Sequence, residues 1–158
     1  MGAVKNLFFY DTEIGRIAMA ENGEGITDLC FEGAPVPRDA KVLETQLLRQ
    51  AAEEVREYLA GRRKKFTVAV FPSGTDFQRR VWKCLCDIPY GETRSYKEIA
   101  ESAGSPKGFR AVGMANNRNP IPIIIPCHRV IGADGSLVGY GGGMELKVRL
   151  LELEKQAL

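Results

Sequence analysis

The 158-residue chain contains one histidine, one tryptophan and four cysteines. Few metal ligands are on offer, and Cys84-Leu85-Cys86 lies in a helical pattern where residues two apart point to different faces, so no metal is expected. No apolar stretch is long enough to cross a bilayer, and Met1 to Tyr10 lacks a basic segment followed by an apolar core and a cleavage site. The protein is therefore expected to stay in the compartment where it is made. The expected location is the cytoplasm, or the nucleus in a eukaryote, with thiols reduced rather than paired. Neither an internal repeat nor a low-complexity tract is visible, and 44% apolar with 27% charged residues excludes a disordered chain. The net charge is only +2, but acidic residues are missing altogether from Ser102 to Ala133, where Lys107, Arg110, Arg118 and Arg129 fall. A locally basic face of this kind suits a polyanion. The other basic cluster, Arg62-Arg63-Lys64-Lys65, reads as a solvated turn.

The length fits one domain or two small ones, and the pattern of elements favours two. Leu7 to Tyr10, Ile14 to Ala20 and Ile26 to Phe31 are short β-compatible runs separated by turn residues, the pattern of an antiparallel meander. Apolar positions recur at helical spacing from Leu48 to Leu59, which predicts a helix over about Asp39 to Ala60 with Gly61 as its cap. Phe66 to Phe71 reads as one more strand. Residues 1–71 are therefore expected to form a small α+β domain, and Pro72-Ser73-Gly74 opens a mostly helical second domain, 72–158.

Two capping boxes, Thr75 to Gln78 and Ser95 to Glu98, begin helices in that second half. Ser105-Pro106 predicts a third helix, about Pro106 to Asn117, with Phe109, Val112, Gly113 and Asn116 facing inward. Two helices joined by Gly104-Ser105 form a helix-turn-helix pattern, with Arg110, Met114, Asn117 and Arg118 outward. A helical hairpin with a solvated outer face fits the helices equally well.

The lone histidine follows a cysteine in Ile121-Pro122-Ile123-Ile124-Ile125-Pro126-Cys127-His128-Arg129-Val130. A free thiol is mostly protonated at neutral pH, and a nearby imidazole supplies both a proton acceptor and, once charged, a stabilising cation. Adjacent residues of a strand point to opposite sides, so either the chain turns sharply at Cys127 or a water carries the proton. Pro126 favours the turn. The glycine-rich Gly139 to Gly143 lets backbone N–H groups approach a flat ligand, and a last helix, about Gly143 to Gln156, offers Glu152 and Glu154 as carboxylate partners for the histidine.

The segments Ser95-Tyr96, Arg110-Ala111-Val112-Gly113, Asn119 to Val130, Gly139 to Gly143 and Leu150 to Glu154 together resemble the O6-alkylguanine-DNA alkyltransferases over about Thr75 to Glu154. The resemblance implies the family's architecture, an N-terminal antiparallel sheet with a helix followed by a winged helix-turn-helix-like DNA-binding unit. It also implies a stoichiometric repair protein, a monomer without cofactor, acting on double-stranded DNA that contains O6-alkylguanine. Cys127 would accept the alkyl group, His128 would take the thiol proton through a water, Glu154 would orient the imidazole, Asn119 would hold the turn, and Tyr96 would donate to the base. Pro122, Val130, Tyr140 and Gly141 would line the guanine pocket, with glycine at 141 where many relatives have serine. Arg110 would fill the space left by an extruded nucleotide, Ala111, Gly113 and Ala115 would approach the minor groove, and Thr93, Ser95 and Arg118 would meet phosphates. The other readings are a lesion binder without transfer, a cysteine hydrolase and a winged-helix regulator.

Overall fold

A computed structural model describes residues 4–157, and the chain divides into two compact units between Ser73 and Gly74. In the first, β1 (Asn6–Thr12), β2 (Gly15–Glu21) and β3 (Ile26–Cys30) form the antiparallel meander. A fourth strand, β4 (Lys41–Val42), adds in parallel to Asn6 and Leu7, giving the order β3-β2-β1-β4. These two residues fall in the range expected for a helix. Between Asp39 and Thr45 no apolar stripe rewards helix formation, whereas the edge of β1 offers partners, with Lys41 N–H donating to Lys5 O and Leu43 N–H to Leu7 O. Helix α1 (Gln46–Leu59) therefore begins only after Thr45, whose hydroxyl accepts the Leu48 N–H.

The end of α1 follows its glycine. Gly61 has φ 76°, its N–H donates to Tyr58 O, and the Arg62 N–H reaches back to Glu57 O, the paired bonds of a Schellman motif. Leu48, Ala51, Ala52, Val55, Tyr58 and Leu59 are buried on α1, which packs on the three-stranded meander over Ile17, Met19 and Ile26.

Phe66 to Phe71 is not the strand its composition suggests, since only Val70 bridges to Ile26. A side chain claims the backbone first. Buried Glu54 accepts the Thr67 N–H at 2.8 Å, the Val68 N–H at 3.2 Å and the Thr67 hydroxyl at 2.7 Å.

The second unit contains α2 (Asp76–Cys86), α3 (Tyr96–Ser102), α4 (Phe109–Asn117) and α5 (Met144–Gln156), with a small parallel pair formed by β5 (Arg94–Ser95) and β6 (Val130–Ile131). Helices α2, α3 and α4 pack on one another. Both capping boxes are present, Thr75 with Gln78 and Ser95 with Glu98. Trp82 of α2 is buried and donates its indole N–H to Ala115 O at 2.8 Å, while a Cβ on Gly74 would lie 2.5 Å from the Trp82 ring. A side chain at 74 is thereby ruled out.

Helix α3 ends in a second Schellman motif at Gly104, φ 79°, with Ser105 N–H bonded to Ala100 O. Helix α4 starts three residues later than the serine-proline signal implies, because Gly108 N–H closes a turn onto Ser105 O and Gly108 itself becomes the N-cap. Phe109 now leads the helix, with no preceding turn to cover it. The inward face is Val112, Ala115 and Asn116, and Phe109 is outside it.

Glu54→Ala would strand the Thr67 and Val68 N–H groups, and the expected loss is about 2–4 kcal/mol of unfolding free energy. Urea denaturation reads it as a lowered midpoint at constant m-value, and a shift below about 0.5 kcal/mol would show that water replaces the carboxylate.

Candidate active site

The apolar run before Cys127 is not a strand. Ile124 N–H donates to Pro122 O two residues back, with Ile123 at φ 73°, which is the rare γ-turn. A β-branched residue at positive φ is strained, by about 1–3 kcal/mol. Pro126 (φ −81°, ψ 65°) then makes an inverse γ-turn, with Cys127 N–H donating to Ile125 O at 2.8 Å. Asn119 clamps the double turn, accepting the Ile121 N–H at 3.0 Å and donating to Ile125 O at 2.8 Å. Buried Ile121, Ile123 and Ile125 supply the packing that offsets the strain.

Cys127 opens a single 3-10 turn, Cys127–Arg129, so the chain bends at the thiol. The side chain is 5% exposed, and burial pushes the thiol up to about 11, with the Asn119 hydrogen bond, the Lys147 charge and a bond from its own backbone pulling the other way. His128 is fully buried, and its Nε2 lies 2.7 Å from Glu154 Oε2. Burial holds the imidazole below its usual pKa, with Glu154 opposing and Arg129 and Lys147 reinforcing the shift. A neutral imidazole that donates from Nε2 to a carboxylate carries its lone pair on Nδ1, the nitrogen able to accept a proton.

Glu154 has four donors on its two oxygens. Oε1 accepts the Gly91 N–H at 3.0 Å and Arg129 Nε at 2.8 Å, and Oε2 accepts His128 Nε2 at 2.7 Å and Arg129 Nη2 at 3.0 Å. A carboxyl group can accept at all of these positions only when ionised. Arg129 also donates to Ile88 O and lies over the Tyr90 ring, 5.6 Å from its centre. Glu152, the other carboxylate considered from the sequence, is exposed and takes no part.

Next to this network stands the segment that leads into α5. Lys147, 0% exposed, donates to Val130 O at 2.7 Å, Val138 O at 3.0 Å and Gly139 O at 3.4 Å. The Tyr96 hydroxyl donates to Val138 O at 3.2 Å. Pro122 and Val130 are buried, Tyr140 is half-buried, and a Cβ on Gly141 would meet nothing within 4 Å. Among the described residues no group of three or more His, Cys, Asp or Glu side chains could hold a metal ion.

Arg110, Ala111 and Arg118 are exposed on or beside α4, and Gly113 is half-exposed against the Tyr96 ring. Ala115 differs from its expected place at a DNA surface: it is buried, and its carbonyl holds Trp82. Thr93 is exposed, whereas the Ser95 hydroxyl and backbone N–H are both engaged in the cap with Glu98.

Sequence reasoning missed Arg129 and Lys147 as site residues. A signal existed for the second, since Lys147, Leu150 and Glu154 follow the i, i+3, i+7 spacing of a buried helix stripe, and two charges in such a stripe imply buried partners.

The single histidine makes the network testable by pH. The folded pKa of His128 lies below the unfolded value of about 6.5, so the unfolded chain takes up the proton first as pH falls. The stability tied to neutral His128 is present above that value and lost on going below it. Chemical denaturation between pH 7 and 5.5 should show declining stability, and His128→Asn should flatten the decline. A wild-type curve flat over that window would overturn the assignment.

Among the described residues, no helix is long and apolar enough to cross a membrane. Residues 76–156 match the family model described as 6-O-methylguanine DNA methyltransferase, DNA binding domain, and residues 8–72 match its ribonuclease-like domain. The methylated-DNA–protein-cysteine methyltransferase of Methanosarcina barkeri is 49% identical, covering 95% of this chain and 99% of its own. The protein of that name from Mycobacterium tuberculosis is 50% identical, over 92% of this chain and 89% of its own. Among solved structures, Mycobacterium tuberculosis OGT in complex with DNA matches at TM-score 0.90 and 47% identity, covering 96% of this chain and 94% of that one. The O6-methylguanine-DNA methyltransferase of Pyrococcus kodakaraensis matches at TM-score 0.58 and 25% identity, covering 94% and 98%. With both units matched in order and relatives near half identity along almost the whole length, the chain belongs to the 6-O-methylguanine DNA methyltransferase family.

Proposed function

We propose that this protein repairs O6-alkylguanine in double-stranded DNA by moving the alkyl group once and irreversibly to Cys127, acting as a methylated-DNA–protein-cysteine methyltransferase. The observation that carries the proposal is the buried chain Cys127, His128, Glu154 in the same unit as a helix-turn-helix whose second helix lies in a stretch, Ala103 to Ala133, without acidic residues. The O6 substituent is out of reach inside a duplex, so the nucleotide is extruded at a cost of about a few kcal/mol. Arg110 fills the vacated space, Ala111 and Gly113 allow close approach, and Thr93 and Arg118 meet phosphates, joined by Ser95 through its hydroxyl hydrogen, since in the cap that oxygen only accepts.

In the reaction the Cys127 proton passes to His128 Nδ1, directly or through a water, and the thiolate attacks the alkyl carbon in line with the C–O6 bond. The S–C bond forms as C–O6 breaks, and the electron pair goes to the guanine. Tyr96 assists by donating to the base at N3, and the proton released by the thiol ends on the product guanine. Glu154 balances the transient imidazolium, much as a carboxylate does in a hydrolase triad. Asn119 holds the thiol in place. Pro122, Val130, Tyr140 and the backbone at Gly141 bound the base. Cys127 works only when reduced, and all four cysteines are free, which supports a reducing compartment, the cytoplasm or a nucleus.

Tyr96 is already engaged by Val138 O. In this reading the incoming base replaces that carbonyl as acceptor.

Intact-protein mass spectrometry after reaction with duplex containing one O6-methylguanine, followed by peptide mapping, tests the proposal. One added methyl group per chain on Cys127 is expected, and none on Cys127→Ala. An unmodified protein that still binds the lesion would make it a recognition module instead. Arg110→Ala should slow transfer from duplex at least about tenfold more than transfer from free O6-benzylguanine, and equal losses would remove its role in extrusion.

A further inference from the structure

The outward face of α4 carries Arg110, Ala111 and Asn117, with Arg118 at the helix end, and two large apolar side chains. Phe109 is 51% exposed and Met114 60%, and they bracket Arg110. At 100° per residue, Phe109 and Gly113 occupy one line along the helix, and Arg110 and Met114 the next. Helical side chains lean toward the N-terminus, so Met114 covers the turn that carries Arg110. The Tyr96 ring lies 3.9 Å from where a Gly113 Cβ would stand, which places Phe109 one turn N-terminal to that tyrosine on the same line.

Neither side chain is needed by the helix for packing, since its buried face is Val112, Ala115 and Asn116. A single exposed apolar residue requires no explanation. Two of them around an arginine, in a stretch without any acidic residue from Ala103 to Ala133, form an apolar island in a cationic surface. That combination matches the DNA minor groove, whose rim is phosphate and whose walls are sugar. An opened base step adds flat apolar rings that a guanidinium alone covers poorly, and Phe and Met are among the side chains that minor-groove proteins insert between such steps.

We propose that Phe109 and Met114 form an apolar wedge around Arg110 that packs on the sugars and the opened base step while the target nucleotide is outside the stack. The inference rests on the repair reading above and adds two residues to the machinery of extrusion. It also revises the picture of a helix that approaches DNA through small residues alone.

The full chain is reacted with duplex containing O6-methylguanine and, separately, with free O6-benzylguanine, and the ratio of the two rates is compared between variants. Phe109→Ser and Met114→Ser should each lower that ratio about ten- to hundredfold, the value of one buried large apolar side chain, and Phe109→Leu should restore most of it. Melting temperatures report folding, and if the serine variant melts early, Phe109→Ala, with its better helix former, carries the same test. An unchanged ratio in the folded variants overturns the wedge while leaving the repair reading intact. Wild-type protein that reacts with neither substrate overturns both. A ratio unchanged in DNA assays, with Phe109→Ser abolishing capture of a purified protein partner, would assign the island to protein binding instead.

Discussion

A carboxylate removed from water must be compensated on every side, and Glu154, 1% exposed, organises the second unit around that requirement. Its four donors come from the turn after α2, from His128 and twice from Arg129, so one side chain of α5 ties together two other segments of the chain, the Gly91 turn and the Cys127–Arg129 turn. Arg129 carries the same constraint outward to the end of α2 through Ile88 O. Breaking such a set by removing one partner typically costs about 3–5 kcal/mol, because the remaining charge stays buried. The site is therefore not an addition to a finished fold. The ion pair that orients His128 also holds α5 against the turn that carries Cys127.

The same burial decides the resting chemistry. It raises the thiol and lowers the imidazole, so both groups are neutral at rest. Position is then what the fold contributes to the nucleophile. The γ-turn at Ile123, the inverse γ-turn at Pro126 and the Asn119 clamp fix the Cys127 backbone within a few residues, and the isoleucines around it make the strained form the packed one.

How far the sequence could be read follows from which interactions are local. The capping boxes at Thr75 and Ser95 and the glycine stops at Gly61 and Gly104 were legible because helix ends are set by residues three to five positions apart. Phe66 to Phe71 misled because its backbone partner is a carboxylate on α1, a contact no periodicity encodes. The composition of Ile121 to Ile125 suits a strand for a related reason: a buried run of branched residues looks alike whether its N–H groups bond across a sheet or back two residues. The order of Cys127, His128 and Glu154 was readable, but the Arg129 and Lys147 contacts were not, since their partners lie 8 to 41 residues away.

In the proposed reaction these features are consistent with a protein used once. A catalyst that works through a covalent intermediate needs a way out of it, and a thioether offers none at neutral pH, because the departing thiolate would have to leave from an unactivated carbon. What such a protein needs instead is a thiol protected until the right base arrives. A buried, neutral Cys127 reacts slowly with oxidants and stray electrophiles, which require the thiolate. Selectivity then comes from the steps before chemistry: a basic helix must meet duplex, a damaged nucleotide must leave the stack, and only the extruded base brings its alkyl carbon to the sulfur. The energy of DNA binding is thus coupled to access rather than to the strength of the nucleophile, and the alkyl group, once transferred, adds volume to a side chain that is only 5% exposed and has little room to relax.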